Sequence, residues 1–188
     1  MTDKQRTGRI LDINGPIVKV ELPGVRSAEQ VRIGEIGLIG EVISLSGRTA
    51  LVQTYENTDG VRPGEPAIGL GFPLSVELGP GLLGGIFDGV QRPLEKIALE
   101  SGDYIRRGLS VPALDRSREW AFVPSDKLEP GQQIGPGAVL GSVQETETVV
   151  HRILVPPDVS GELEELAPAG DYDLEATIAR VRTNNGQT

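Results

Sequence analysis

The chain has 188 residues, no cysteine, one histidine and a formal net charge of −9 at pH 7. The missing cysteines exclude disulfides and thiolate chemistry, and a lone histidine leaves no His/Cys cluster for zinc. The acidic balance disfavours nucleic acid and anionic membrane surfaces as direct partners, because both would repel the chain. No run approaches the roughly 18 apolar residues that a membrane-spanning helix needs, and the polar N-terminus lacks the apolar core of a signal peptide.

The first seventy residues alternate apolar and polar positions between turn signals. GRILDI and IVKVEL flank an Asn-Gly-Pro turn at residues 14–16, which predicts a β-hairpin. Val18, Val20 and Leu22 would form its buried face. The runs QVRIG, GLIGEVISL and RTALVQTY continue the pattern. About six such strands predict a mainly β fold that begins with a six-stranded antiparallel β-barrel over residues 1–72.

One short helix is predicted at residues 93–101. A proline opens this segment, where its missing N–H costs nothing, and Leu94, Ile97 and Ala98 form an apolar stripe at helical spacing. Gly102 is a natural C-terminal stop.

Residues 112–188 predict a second, smaller β-rich domain, since short apolar runs are divided by Pro-Gly and Gly turns. Trp120 is interpreted as a core residue of this domain, and His151 as a structural histidine rather than a general base. Three glutamates are interpreted as a solvated strand face rather than an acid/base pair: Glu162, Glu164 and Glu165.

Residues 74–94, LSVELGPGLLGGIFDGVQRPL, contain a G-x-G-x-x-G pattern. A dinucleotide site needs such glycines to lead directly into a helix, and a P-loop needs Lys and Ser/Thr where Gly85 and Ile86 stand. We therefore expect no anion to be held well here, and we predict no catalytic, cofactor-binding or metal residues. The segment is instead predicted to be a glycine-rich connector over 73–111. Its structural junction residues would be Gly79, Gly81, Gly84, Gly85, Asp88 and Gly89.

The motifs ELGPGLL, IFDGVQRPL and HRILVPPDVSGELEELAPAGDY resemble the catalytic A subunit (alpha chain) of the V-type/A-type rotary ATPase family, and the resemblance covers roughly residues 8–181. It implies the N-terminal part of the catalytic chain of a proton- or sodium-translocating ATPase or ATP synthase. The implied partners are B subunits, other A subunits and peripheral stalk subunits. The implied location is cytoplasmic, with the membrane reached only through the complex, and 112–188 would be an inserted domain that resembles a carrier barrel.

Members of that family continue into a P-loop, a catalytic Glu and a helical domain, whereas this sequence stops at Thr188 before all three. We therefore expect the chain to serve assembly of the subunits and stalk contact, and to bind no Mg-ATP or other cofactor by itself. Two alternatives remain open. One is a free-standing β-rich interaction module. The other is a biotinyl or lipoyl carrier domain, which is disfavoured because its turn would fall at residues 144–148, QETET, where there is no lysine.

Overall fold

The computed structural model describes residues 6–102 and 105–183, which form two compact units. The first unit contains the chain up to residue 76 together with 86–111, and the second contains 77–85 together with the chain from residue 112 onward. The segment expected to be a connector is thus shared between the units. The domain boundaries predicted after residues 72 and 111 stay predictions.

The first unit is built on a closed antiparallel barrel with the strand order β1-β2-β5-β4-β3-β6. The predicted six-stranded barrel is confirmed. Its strands are β1 (Arg6–Asn14), β2 (Ile17–Glu21), β3 (Glu29–Ile33), β4 (Leu38–Ser46), β5 (Thr49–Thr54) and β6 (Pro66–Pro73).

The alternating side chains of the first hairpin fill the barrel interior. Val18 and Val20 are completely buried, whereas Lys19 between them faces outward. Val18 pairs with Val52 of β5, which is also completely buried. Each fully buried valine stabilises the barrel by roughly 1.5–3 kcal/mol relative to an exposed one. The predicted hairpin and its buried face are confirmed.

A buried carboxylate joins the ends of three barrel strands. Glu29 of β3 is 2% exposed. It accepts hydrogen bonds from Arg6 Nη1 at 3.1 Å, from the Arg26 amide at 3.0 Å and from the Gly71 amide at 3.1 Å. The buried charge is therefore fully compensated, as burial requires.

The helix α1 spans Leu94–Ser101 and is the only helix in the described part of the chain. Gly102 ends it with φ 71°, and the Gly102 amide donates to the Ala98 carbonyl at 2.9 Å. The predicted apolar stripe is only partly correct: Ile97 is buried and Leu94 is half-buried, but Ala98 is exposed. The helical period defines which face is apolar, but not how much of that face is covered by the rest of the unit. No helix among the described residues has the length and apolar character needed to cross a bilayer.

The second unit contains two antiparallel sheets, with the orders β10-β9-β7-β12 and β13-β11-β8. This confirms the predicted second β-rich region. Its strands are β7 (Trp120–Pro124), β8 (Gln133–Ile134), β9 (Val139–Gln144), β10 (Val150–Leu154), β11 (Gly161–Leu166), β12 (Gly170–Tyr172) and β13 (Ala179–Thr183).

Trp120 belongs to an apolar cluster with Phe122 and Val143, so its interpretation as a core residue is confirmed. The Phe122 ring meets the Tyr172 ring edge-on, with centroids 5.9 Å apart. The guanidinium of Arg118 lies 3.9 Å above the Trp120 ring centroid. This cation–π contact covers one face of the indole.

The three glutamates of β11 lie in cross-strand ion pairs with β13. Glu162 and Glu164 both contact Arg182, and Glu165 contacts Arg180. All three carboxylates are partly exposed, so the solvated-face interpretation is confirmed. Exposed pairs of this kind contribute little to stability individually.

Candidate functional site in the glycine-rich segment

The glycine-rich segment is the part of the sequence whose motif raises the question of a ligand site, and the two compact units share it. Gly79, Gly81, Gly84 and Gly85 lie in the second unit, whereas Asp88 and Gly89 lie in the first. Each part is held by contacts within its own unit.

In the second unit, two loop amides bind a carboxylate of the chain itself. Glu145 follows β9, and its side chain is only 4% exposed. Its Oε1 accepts the Gly81 amide at 2.8 Å and the Leu83 amide at 3.1 Å. Its Oε2 lies 3.2 Å from Nδ1 of His151. One buried carboxylate therefore ties the loop to the turn between β9 and β10.

The pKa of Glu145 reflects this arrangement. Burial acts to raise the pKa of the carboxyl, but the amides of Leu83 and Gly81 and the side chain of His151 outweigh it and hold the pKa below its ordinary value. Glu145 is consequently ionised at neutral pH. The charge is stabilised by backbone dipoles, as it would be in a nest of amides that binds an external anion.

The expectation that the loop holds no external anion well stays a prediction. The loop lacks a helix N-terminus, yet its amides do hold an anion, and that anion is the Glu145 side chain. An external phosphate at the same amides would have to displace a buried carboxylate. The turn considered for a carrier lysine is the same turn that supplies Glu145.

Two loop glycines have backbone conformations that other residues adopt only with strain. Gly81 has φ 104° and Gly84 has φ 85°. A Cβ on Gly81 would also lie 3.2 Å from the Trp120 ring. At Gly79 the φ angle is not positive, and a Cβ there would lie 2.8 Å from Leu114 Cδ1, the end of a flexible side chain that can move aside.

In the first unit, Asp88 organises the turn that precedes α1. Its Oδ1 accepts the amides of Val90 at 3.0 Å and Arg92 at 2.9 Å, and its Oδ2 accepts Nε of Arg92 at 2.7 Å. Arg92 also donates through Nη1 to Glu56 at 2.7 Å. Oε2 of Glu56 accepts the Gly108 amide at 2.9 Å. Asp88, Arg92 and Glu56 therefore form a network in which each charge has an opposite partner.

The pKa values of this network follow from the same contacts. Burial acts to raise the pKa of Asp88, but the backbone and side-chain hydrogen bonds from Arg92, the Val90 amide and the Arg92 charge together lower it. Burial acts to lower the pKa of Arg92, but Glu56 and Asp88 outweigh it and raise the pKa above its ordinary value. Both groups stay charged across the neutral range, which suits a structural role rather than proton transfer.

Sequence reasoning missed Glu145 and Glu56. Glu145 lies 64 positions from Gly81 and Glu56 lies 36 positions from Arg92, so no local spacing signals either contact. His151 was interpreted as structural, and its contact with Glu145 is consistent with that. No group of three or more His, Cys, Asp or Glu side chains among the described residues is arranged to hold a metal ion.

Models of known protein families match both β-rich regions of the chain. The family model described as "ATP synthase alpha/beta family, beta-barrel domain" matches residues 10–71. The model described as "ATPsynthase alpha/beta subunit barrel-sandwich domain" matches residues 111–188. The V-type ATP synthase alpha chain of Nitrosococcus oceani is 55% identical over 174 residues, which are 93% of this chain and 29% of that protein. The chain belongs to the family of V-type and A-type ATP synthase alpha chains, also called A subunits.

Other members of the alpha-chain family have similar levels of identity. The A-type ATP synthase A subunit of Pyrococcus horikoshii is 50% identical over 181 residues, which are 96% of this chain and 19% of that protein. The A-type ATP synthase A subunit of Thermococcus kodakarensis is 52% identical over 180 residues, which are 95% of this chain and 30% of that protein. The chain thus spans less than a third of the length of these relatives.

Proposed function

We propose that this chain acts as the N-terminal part of the catalytic alpha chain of an ion-translocating V/A-type ATPase or ATP synthase, and that it serves assembly of the complex rather than the chemical step. The observation that supports this proposal most strongly is the match to alpha-chain relatives over 93–96% of the chain. Both units contribute to it, since separate family models match the barrel and the second β-rich region.

The proposal includes partners and location. B subunits, other A subunits and the peripheral stalk would bind the chain, on the cytoplasmic side and peripheral to the membrane. Mg-ATP would be bound and hydrolysed, or synthesised, only with parts of the alpha chain that this sequence does not include. Support comes from the sequence itself, which contains no G-x-x-x-x-G-K-[ST] motif.

The junction residues keep a structural role in this proposal. Gly81 and Gly84 allow the loop conformation that presents two amides to Glu145, and Asp88 fixes the turn before α1. These contacts support a junction that positions backbone rather than one that binds nucleotide.

The outer barrel surface supports an assembly role. Leu51 of β5 is 36% exposed and pairs with Lys19 of β2 on one side and Ser44 of β4 on the other. Ile43, next to Ser44, is 47% exposed. Outward-facing apolar side chains on neighbouring strands are typical of a protein contact surface. We propose that the B subunit covers them.

Sedimentation of the purified chain with the B subunit tests this proposal. The wild-type chain should co-sediment with B. The double variant Ile43→Glu/Leu51→Glu should lose at least about tenfold in affinity, because two carboxylates would be buried at the contact. Leu99→Glu, at an exposed apolar position of α1, is the matched control and should bind like the wild type. A folded wild-type chain that fails to bind B, or a double variant that binds B normally, would contradict the proposal.

Calorimetry with Mg-ATP tests the proposal that this chain serves assembly and does not bind nucleotide by itself. We expect no saturable heat from the chain alone. Tight, stoichiometric Mg-ATP binding would show that the chain carries a nucleotide site and would overturn the assembly-only role.

A further inference from the structure

Strand β10 forms one edge of the four-stranded sheet in the second unit. It pairs with β9 on one side, and no strand among the described residues pairs with its other side. The Val149 carbonyl accepts the amide of the residue after β9 at 3.0 Å, and the Val155 amide donates to the carbonyl of the residue before β9 at 2.9 Å. Backbone groups alternate in direction along an antiparallel strand. Val150, Arg152 and Leu154 therefore direct their N–H and C=O groups to the open edge.

The side chains of these three residues also face solvent. Val150 is 52% exposed and Leu154 is 49% exposed, and Arg152 between them is exposed as well. All three side chains lie on one face of the sheet, because residues two apart on a strand share a face. An open edge that carries exposed apolar side chains can pair with another extended chain.

Arg152 is the charged residue at the centre of this edge. Its side chain has no ion-pair or hydrogen-bond partner among the described residues. The β9 residues opposite the three open-edge residues carry no carboxylate: Gln144, Ser142 and Val139. A carboxylate that approaches along the open edge can therefore pair with Arg152 without displacing another contact.

A second copy of the chain is a poor occupant of this edge. Two β10 strands that paired antiparallel about their centres would place the two Arg152 side chains opposite each other. Like charges directly opposite destabilise a strand pair, whereas opposite charges stabilise it. The charge of Arg152 thus disfavours self-pairing and favours a strand with a carboxylate at its central position.

We propose that the open edge of β10 binds an extended, acidic segment of a partner protein as an added antiparallel strand. The segment would have apolar, acidic and apolar residues at alternate positions, opposite Val150, Arg152 and Leu154. Backbone hydrogen bonds would supply affinity, and the alternate side chains would supply specificity. This contact does not rest on the proposed contact with the B subunit, because β10 belongs to the second unit and not to the barrel.

Three capped peptides test the proposal. The first is Thr-Val-Thr-Glu-Thr-Val-Thr, the second has Lys in place of Glu, and the third is the first with N-methyl groups on its two Val and its Glu. These N-methyl groups block the amides that an antiparallel strand would donate to β10.

Peptide binding is measured on the full chain by ¹⁵N–¹H spectra. The first peptide should shift the amide signals of Val150, Arg152 and Leu154 saturably and slow their hydrogen exchange. The Lys peptide should bind at least about fivefold more weakly, and the N-methylated peptide should produce no shift. No saturable shift with the first peptide, equal affinity for the first two, or undiminished binding of the third would each overturn the proposal.

Charge reversal at Arg152 locates the site. Arg152→Glu should reverse the preference, so that the Lys peptide binds more tightly than the Glu peptide. Lys127→Glu makes the same change of charge at an exposed position of the second unit outside β10, and it should keep the wild-type preference. A preference for the Glu peptide that persists in Arg152→Glu would overturn the proposal. Circular dichroism checks folding, and should Arg152→Glu fail to fold, Arg152→Gln decides, because it should bind both peptides equally.

The second-copy alternative is tested on the chain alone. Sedimentation should show no self-association through β10. Concentration-dependent association that slows hydrogen exchange at the amides of Val150, Arg152 and Leu154 would overturn the choice of an acidic partner.

Discussion

The carboxylate of Glu145 accepts the backbone amide of Gly81 at 2.8 Å, across 64 positions of sequence. The same oxygen accepts the Leu83 amide, and the other oxygen contacts His151. The loop thus binds a side chain of its own unit, although its glycine spacing resembles a nucleotide-binding fingerprint. The contact fixes the loop and occupies the amides that a phosphate would need.

Replacing Glu145 by glutamine should destabilise the second unit. The change removes the charge that two amides stabilise, and hydrogen bonds to charged groups contribute roughly 1.5–3 kcal/mol. We expect a loss of about 1–2 kcal/mol at neutral pH, measured by urea unfolding. Glu147→Gln in the same turn is the matched control and should leave the unfolding free energy unchanged. Equal stability of the two variants would show that the Glu145 contact does not stabilise the loop.

The stabilising effect of Glu145 should depend on pH. Its pKa is lower in the folded chain than its ordinary value of 4.5, so the unfolded state takes up a proton first as pH falls. The contribution is therefore fully present above about pH 4.5 and is lost as pH falls through the folded pKa. The difference in unfolding free energy between wild type and Glu145→Gln should shrink below about pH 4.5. A difference that grows in acid would contradict this sign.

Alanine substitutions at the loop glycines should lower stability by amounts that depend on the backbone conformation and the packing at each glycine. Gly81→Ala should cost more than about 1 kcal/mol, because positive φ strain is joined by a close approach to Trp120. Gly84→Ala should cost about 1 kcal/mol from φ alone, since no atom lies near its Cβ position. Gly89→Ala, with neither positive φ nor a close neighbour, is the control and should be neutral. Thermal unfolding measures the order, and a neutral Gly81→Ala would disprove the strain argument.

Arg92 should be irreplaceable by lysine. Its guanidinium contacts Glu56 and Asp88 at 2.7 Å through different nitrogens, which a single ammonium group does not reproduce. We expect Arg92→Lys to cost about 1–2 kcal/mol and Arg92→Met about 3 kcal/mol, because the latter leaves two largely buried carboxylates unpaired. Arg48→Met, at an exposed ion pair, should cost less than about 0.5 kcal/mol. Urea unfolding of the three variants provides the comparison. An Arg92→Lys variant as stable as wild type would contradict the bridging role.

Tyr55 should lose its hydroxyl proton at a higher pH than an ordinary tyrosine. Partial shielding of the hydroxyl from water, the hydrogen bond that it donates to Glu41 and the charge of Glu41 raise the pKa of Tyr55 to about 12. Titration followed by the ¹³Cζ resonance should show this value, and Glu41→Gln should lower it toward 10. The raised pKa stabilises the fold below about pH 10, and this stabilisation is lost as pH rises through about 12. Glu95→Gln, on the exposed face of α1, is the control and should leave the Tyr55 titration unchanged. An unshifted Tyr55 in the wild type would contradict the contact.

Local sequence patterns determined the secondary-structure elements of this protein. The alternation around Val18 and Val20 and the turn at residues 14–16 require only neighbouring residues, so the first hairpin was predictable from the sequence. Six such strands have few ways to cover their edges, which made the closed barrel predictable too. The stop at Gly102 is equally local. The family motifs, read as a resemblance, indicated the alpha-chain family independently of the fold.

Only the tertiary structure decided what the glycine-rich segment contacts. The Gly81 amide donates to Glu145 across 64 positions of sequence, and Arg92 donates to Glu56 across 36 positions. Local residue spacing therefore predicts neither contact. The exposure of Ala98 was likewise undetermined, because a helical stripe defines a face but not how much of it finds a partner. A cavity in the second unit is also a tertiary feature, since its wall combines side chains from residues 77–80 with others as distant as Ile178. Hydrogen bonds and cavities depend on positions in space, and these are fixed only when distant strands pair.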